Sequence, residues 1–161
     1  YMEADGDGLD SNGNATINGG TILVNGPTQT MNGALDANGS FTINGGFLVA
    51  VGSSQMPEAP DGGSQSYVYS SSVNVSAGTI IAVNKSSGDN LLAFESTGNI
   101  GSIVFSSPEV TSGTHYIYAG GSYNGGTQTD GLYEGGTYSP SGTYITVTAN
   151  SGGGGGFWFA M

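Results

Sequence analysis

Apolar and polar residues alternate over short stretches of this chain, and glycine or asparagine interrupts them every few positions. Ala15 and Ile17 fall on one face of Asn14–Asn18, Thr21–Asn25 is a second short apolar stretch, and Gly19-Gly20 lies between them. Period-two stretches bounded by turn residues predict β-strands. Further strands are expected over Tyr67–Val75, Thr79–Asn84, Leu91–Glu95, Ser102–Phe105, His115–Ala119 and Tyr144–Thr148, with turns at Ala77-Gly78 and Ser86–Asn90. Ser53–Ser66 carries Pro and Gly and predicts a loop.

The first third of the chain is repetitive. GLDSNGNATINGGTILVNG (residues 8–26) returns as ALDANGSFTINGGFLVAVG (residues 34–52) at an ungapped offset of 26. Leu9/Leu35, Asp10/Asp36, Thr16/Thr42, Ile17/Ile43 and Asn18/Asn44 are identical pairs. Short strands joined by Gly and Asn corners at this period describe a coil of a parallel β-helix. Equivalent residues of neighbouring coils then stack about 4.8 Å apart, Phe41 over Ala15 and Leu48 over Ile22. Asn18 and Asn44 are expected to form a short amide ladder, and the repeat ends at Gly52. The expected fold is all-β: a short right-handed parallel β-helix of 26-residue coils with C-terminal antiparallel hairpins. It divides into coils over 1–52, a loop over 53–66, a β-rich part over 67–148 that packs on the helix, and a Gly-rich tether with an aromatic tail over 149–161.

Composition narrows the function. Glycine contributes 31 of 161 residues, and Lys85 is the one Lys or Arg against 12 acidic residues, for a net charge of −11. Helix is disfavoured by the Gly, Asn, Thr and Ser load. Phosphate and anionic lipid are repelled, so neither a nucleic acid nor a membrane is an expected partner. No apolar run reaches the roughly 20 residues of a membrane-spanning helix. There is no Cys, so disulfide and thiol chemistry are excluded.

Several segments together resemble a secreted bacterial carbohydrate-binding domain-containing family with a polysaccharide-lyase-like right-handed β-helix. They are Gly6–Gly13 (GDGLDSNG), Ile17–Thr21 (INGGT), Val24–Pro27 (VNGP), Asn32–Asp36 (NGALD), Gly52-Ser53-Ser54, Ile103–Pro108 (IVFSSP) and Thr114–Gly121. The resemblance implies an extracellular or cell-surface β-helix that holds Ca²⁺ and binds cellulose-like or acidic plant polysaccharides.

The acidic cluster Asp5, Asp7 and Asp10, with Asp36 stacked over Asp10, is the sharpest local feature. Ca²⁺ requires six to eight oxygens; these carboxylates, with Asn12 and turn carbonyls, are candidate ligands. Stacked carboxylates repel each other unless a cation or a proton intervenes. A solvated acidic turn, with Asp serving turn formation, is the alternative. Catalysis is not expected. β-Helix lyases take the uronate C5 proton with Arg or Lys, and this chain has no Arg and a single Lys in a turn. His115 opens a strand and reads as structural.

Aromatic rings are the common platform for sugars. The candidates are Tyr67 and Tyr69, and Tyr116 and Tyr118, each pair on one strand face by period two, with Tyr123, Tyr133, Tyr138 and Tyr144 beyond them. Phe157, Trp158 and Phe159 follow five glycines and read as a tethered apolar plug that docks on the chain's own core or, for assembly, on a neighbour. The first coil has no visible cap. Unpaired strand edges invite pairing, so a homo-oligomer or filament built by head-to-tail stacking of coils is a second expectation. The sequence therefore points to a non-catalytic, extracellular, Ca²⁺-dependent module that binds polysaccharide in a cell-surface or biofilm matrix, or to a filament subunit.

Overall fold

The computed structural model describes residues 1–27, 32–55 and 57–150. Within them the fold is all-β. Its central sheet has five strands in the order β1 (Met2–Glu3), β4 (Thr21–Asn25), β7 (Phe47–Gly52), β11 (Ser102–Ser106) and β8 (Tyr67–Ser70). A second sheet has six, in the order β13 (Ser122–Thr129), β14 (Leu132–Ser139), β10 (Asn90–Glu95), β9 (Ile80–Lys85), β12 (Thr114–Ala119) and β15 (Thr143–Thr148). Two pairs complete the fold: β2 (Leu9–Ser11) with β5 (Leu35–Ala37), and β3 (Ala15–Ile17) with β6 (Phe41–Ile43).

The repeat sets the register of the first 52 residues. Leu9 lies beside Leu35, Ala15 beside Phe41, Ile17 beside Ile43 and Ile22 beside Leu48, all parallel and all at offset 26. The expected amide ladder forms: Asn44 Nδ2 donates to Asn18 Oδ1 at 2.9 Å. Gly46 repeats the positive φ of Gly20, 91° against 85°. A Cβ at Gly46 would also lie 2.8 Å from the Gly20 carbonyl oxygen, so the second corner nests on the first only as glycine. Beyond Gly52 the pairing changes. β7 and β8 both run antiparallel to β11, and the six-stranded sheet is antiparallel throughout. Parallel pairing between strands is thus confined to the first 52 residues, and the chain as a whole is not a solenoid.

The central sheet is the middle layer, which explains its nearly continuous apolar strands. Leu23, Val49, Val51, Val68, Ile103 and Phe105 face Ile81, Val83, Leu92, Phe94, Ile117 and Leu132 of the six-stranded sheet. The alternate residues Val24, Leu48, Ala50 and Val104 face Leu35, Ala37, Phe41 and Ile43 of the repeat. A third, smaller cluster of Ile80, Ala82, Ala93 and Tyr138 lies on the other side of the six-stranded sheet.

Residues 57–65 are more than the loop expected from sequence, because they close the outer edge of the second repeat unit. The Glu58 carboxylate accepts the Ala37 N–H at 2.6 Å and the Asp61 carboxylate accepts the Phe41 N–H at 2.7 Å. The Gly62 carbonyl accepts the Ile43 N–H at 3.0 Å, and the Ser64 N–H extends the asparagine ladder by donating to Asn44 Oδ1 at 3.0 Å. A head-to-tail stack on this edge would have to displace that segment. At the opposite end β1 pairs with β4, while β2 and β3 pair on one side only among the described residues.

The β13–β14 ribbon was not expected as strands. Its turn is Asp130-Gly131, with φ of 51° and 89°, the two positive angles that a tight hairpin turn of matching twist requires.

Candidate functional site

Tyr116 and Tyr118 alternate with the buried His115 and Ile117 along β12, so their rings stand on the side of the six-stranded sheet away from the main core. β15 lies next to β12 and sets Tyr144 opposite Tyr118. Tyr144 is 5.4 Å from Tyr116 and 5.3 Å from Tyr118 between ring centroids, and Tyr118 is 6.3 Å from Tyr138. These are packed-aromatic distances, and the four rings make one band. Tyr144 is its most open member, at 57% exposure, and Tyr138 its most buried, at 8%.

The band leads into a cleft of about 510 Å³ between β10 and β14. Those two strands share one residue pair, Phe94 with Leu132, and diverge from there. The cleft is lined by Tyr123, Tyr133 and Tyr138, by Asn90 and by the acidic residues Asp89, Glu109 and Glu134. Tyr123 and Tyr133 are 4.9 Å apart and tilted by 32°.

The tyrosine hydroxyls are held in place. Tyr133 donates to Glu95 at 2.7 Å, and that bond, with some burial, raises its pKa. Tyr138 donates to the Gly120 carbonyl at 2.6 Å, and burial, with Tyr118 nearby, pushes it up to about 12. Both rings therefore remain neutral hydrogen-bond donors across the physiological range.

Tyr67 and Tyr69 share a face, as period two required, but it is the inward one. Tyr67 is buried against the repeat and donates its hydroxyl to the Pro60 carbonyl at 2.8 Å. Tyr69 is half-buried against the same cluster. Tyr67 presents no face for stacking, because the strand sits between two packed layers, and Tyr69 keeps only part of its surface open. His115 is buried, with Nδ1 3.0 Å from the Gly113 carbonyl, and its Nε2 has no partner among the described residues. Phe157, Trp158 and Phe159 lie outside the described residues.

The acidic residues separate into two places. Asp7 and Asp36 line a hollow of about 280 Å³ together with Glu58. Asp10 is the register partner of Asp36. Asp5 lines a different hollow with Glu3 and Thr97, and Asn12 is exposed in the turn after β2. Among the described residues no three carboxylate or imidazole side chains converge as a metal-ligand set. Asp5 thus lines its hollow apart from the one that Asp7 and Asp36 share.

Burial raises the Asp36 carboxyl above the usual carboxylate range, reinforced by a hydrogen bond to Asp7 and by the charges of Asp7 and Asp10. Burial also raises Glu58, with the Ala37 N–H opposing the shift and Asp36 and Asp61 adding to it. A carboxyl whose folded pKa lies above its unfolded one binds its proton more tightly when folded. Its contribution to stability is full below the unfolded pKa and is lost as pH rises through the folded pKa. Asp36→Asn is therefore expected to raise the melting temperature at pH 7 and to leave it nearly unchanged in acid, as thermal melts across that range would show. A variant less stable than the parent at pH 7 would refute the assignment.

No protein-family model, curated protein or solved structure matches this chain.

Proposed function

We propose that the protein is a non-catalytic, extracellular or cell-surface module that binds polysaccharide through the tyrosine face of its six-stranded sheet. The observation that carries this reading is the band Tyr116, Tyr144, Tyr118 and Tyr138, which continues into a cleft bearing further tyrosines and polar side chains. A row of rings gives successive sugar units an apolar surface, and fixed hydroxyls, amides and carboxylates bond their equatorial groups. The motif resemblance supports the same reading, with the repeat taken as two coils of a right-handed parallel β-helix that carries the sheet.

Binding should be measured by depletion onto insoluble polysaccharide. Tyr144→Ala removes an exposed ring and is expected to weaken binding about tenfold, equivalent to about 1.4 kcal/mol, while leaving the melting temperature unchanged. Unaltered binding by this variant would remove the tyrosine face from the reading.

Calcium is kept in this proposal only at Asp7 and Asp36, where a cation would relieve the repulsion that the shared proton relieves in acid. Ca²⁺ that binds there would raise the melting temperature of the parent at pH 7 and leave Asp36→Asn unmoved. Self-association is the second reading, favoured by the one-sided pairing of β2 and β3. Sedimentation at increasing protein concentration distinguishes it from a monomeric module.

A further inference from the structure

The carboxylates beside the tyrosines set a charge preference. Asp89, Glu109 and Glu134 line the same cleft as Tyr123 and Tyr133, and Lys85, the chain's one Lys or Arg, does not. Asp89 also accepts the Ser87 hydroxyl at 3.1 Å, and Glu95, which accepts the Tyr133 hydroxyl, is not a lining residue of the cleft.

A uronate polymer would bring carboxylates against carboxylates, with no guanidinium to bridge them. A neutral glucan could stack on the rings, but seating it would strip water from anionic groups without supplying a counter-charge. A sugar with a free ammonium group meets both halves of the site. The ammonium can pair with a carboxylate, and a cation close to a tyrosine face is attracted by the ring itself. A cleft of one sign also raises the local concentration of the opposite sign.

We propose that the cleft between β10 and the β13–β14 ribbon takes a cationic amino-sugar polymer, one whose amines are free rather than acetylated. This rests on the reading of the same face as a sugar-binding surface.

A protein of charge −11 will attract any polycation, so the test must separate the cleft from the net charge. Calorimetric titration with a glucosamine oligomer, its N-acetylated counterpart, a cello-oligomer and an oligogalacturonate should be run at one ionic strength and at a pH that protonates the amines. The glucosamine oligomer is expected to bind about tenfold or more tighter than the acetylated one, as expected for an ammonium desolvated against a ring, and the oligogalacturonate not at all. Glu134→Gln should cost up to about fivefold, the upper end for one exposed charge pair. Glu3→Gln removes the same charge from the central sheet, outside the cleft, and should leave affinity within about twofold.

Equal losses in the two variants would show attraction by net charge alone and overturn the proposal. Neutral oligomers binding as tightly as the amine would overturn it too, with the sugar-binding reading left standing. No binding by any oligomer would remove both.

Discussion

Phe105→Ala is expected to lower the free energy of unfolding by about 3–5 kcal/mol, the range for a large aromatic removed from a close-packed core. Phe105 has no exposed surface and sits in β11, the strand that joins β7 to β8. Its ring meets Phe47 edge-on at 5.4 Å, and an aromatic pair of that kind adds to the loss from burial alone. Phe105 is fully enclosed between the layers, so its surroundings have little room to collapse into the gap, whereas Phe47 is half-buried at the cleft. Urea denaturation should show the midpoint falling with an unchanged slope, because the same surface is exposed on unfolding. Tyr144→Ala, on the open side of the other sheet, is the matched control and should stay within about 0.5 kcal/mol. A loss below 1 kcal/mol for Phe105→Ala would mean that the two sheets are not packed through this ring.

The second large effect is expected at Gly63. Its φ is 119°, and an added Cβ would fall within the Ile43 backbone. Gly63→Ala combines a conformation that L-residues avoid with a collision against an element that cannot move without breaking the repeat. The expected cost is about 2–4 kcal/mol, from backbone strain and from loss of the bonds that residues 57–65 give to β6. Hydrogen exchange locates the effect. The Phe41 N–H is bound by Asp61 and the Ile43 N–H by Gly62, and both should exchange faster in the variant. The Leu48 amide, inside the central sheet, should lose protection only as far as global stability falls. Unchanged exchange at Phe41 and Ile43 would show that the segment does not protect the edge.

What was legible in the sequence follows the kind of force that specifies each part. The repeat is legible because identical residues at one offset must stack, and Thr16/Thr42 and Ile17/Ile43 lie side by side as read. The segment 57–65 carries no such signal. It bonds through the backbone and through two carboxylates, and a Pro- and Gly-containing stretch looks alike whether it wanders or lies along an edge. The β13–β14 ribbon lacks alternation, because much of it is Gly and Thr, and only Asp130-Gly131 marks it as a hairpin. At the candidate site, period two paired Tyr116 with Tyr118 and Tyr67 with Tyr69, but periodicity does not say which face is open. Strand β8 lies in a sheet covered on both sides, so Tyr67 went inside. Tyr144 completes the band from a strand 26 residues further on, and only the pairing of β12 with β15 reveals it. The acidic residues were read as one group because they are close in sequence, and the chain turns between Asp5 and Asp7.

The β13–β14 ribbon is supported at both ends. Its root lies where Ala119 pairs with Thr143, and its tip is held by the Phe94–Leu132 pair and by the Glu95 N–H bonded to the Gly131 carbonyl at 2.8 Å. A beam fixed at two points bends at its thinnest section, which here is Gly125-Gly126 facing Gly135-Gly136, three of the four at positive φ. Without side chains to interlock, that section deforms before the ladders on either side of it do. The width of the cleft therefore depends on a joint of four glycines, two of which, Gly135 and Gly136, line it, and a methyl group added at Gly136 would fall against the Tyr123 ring.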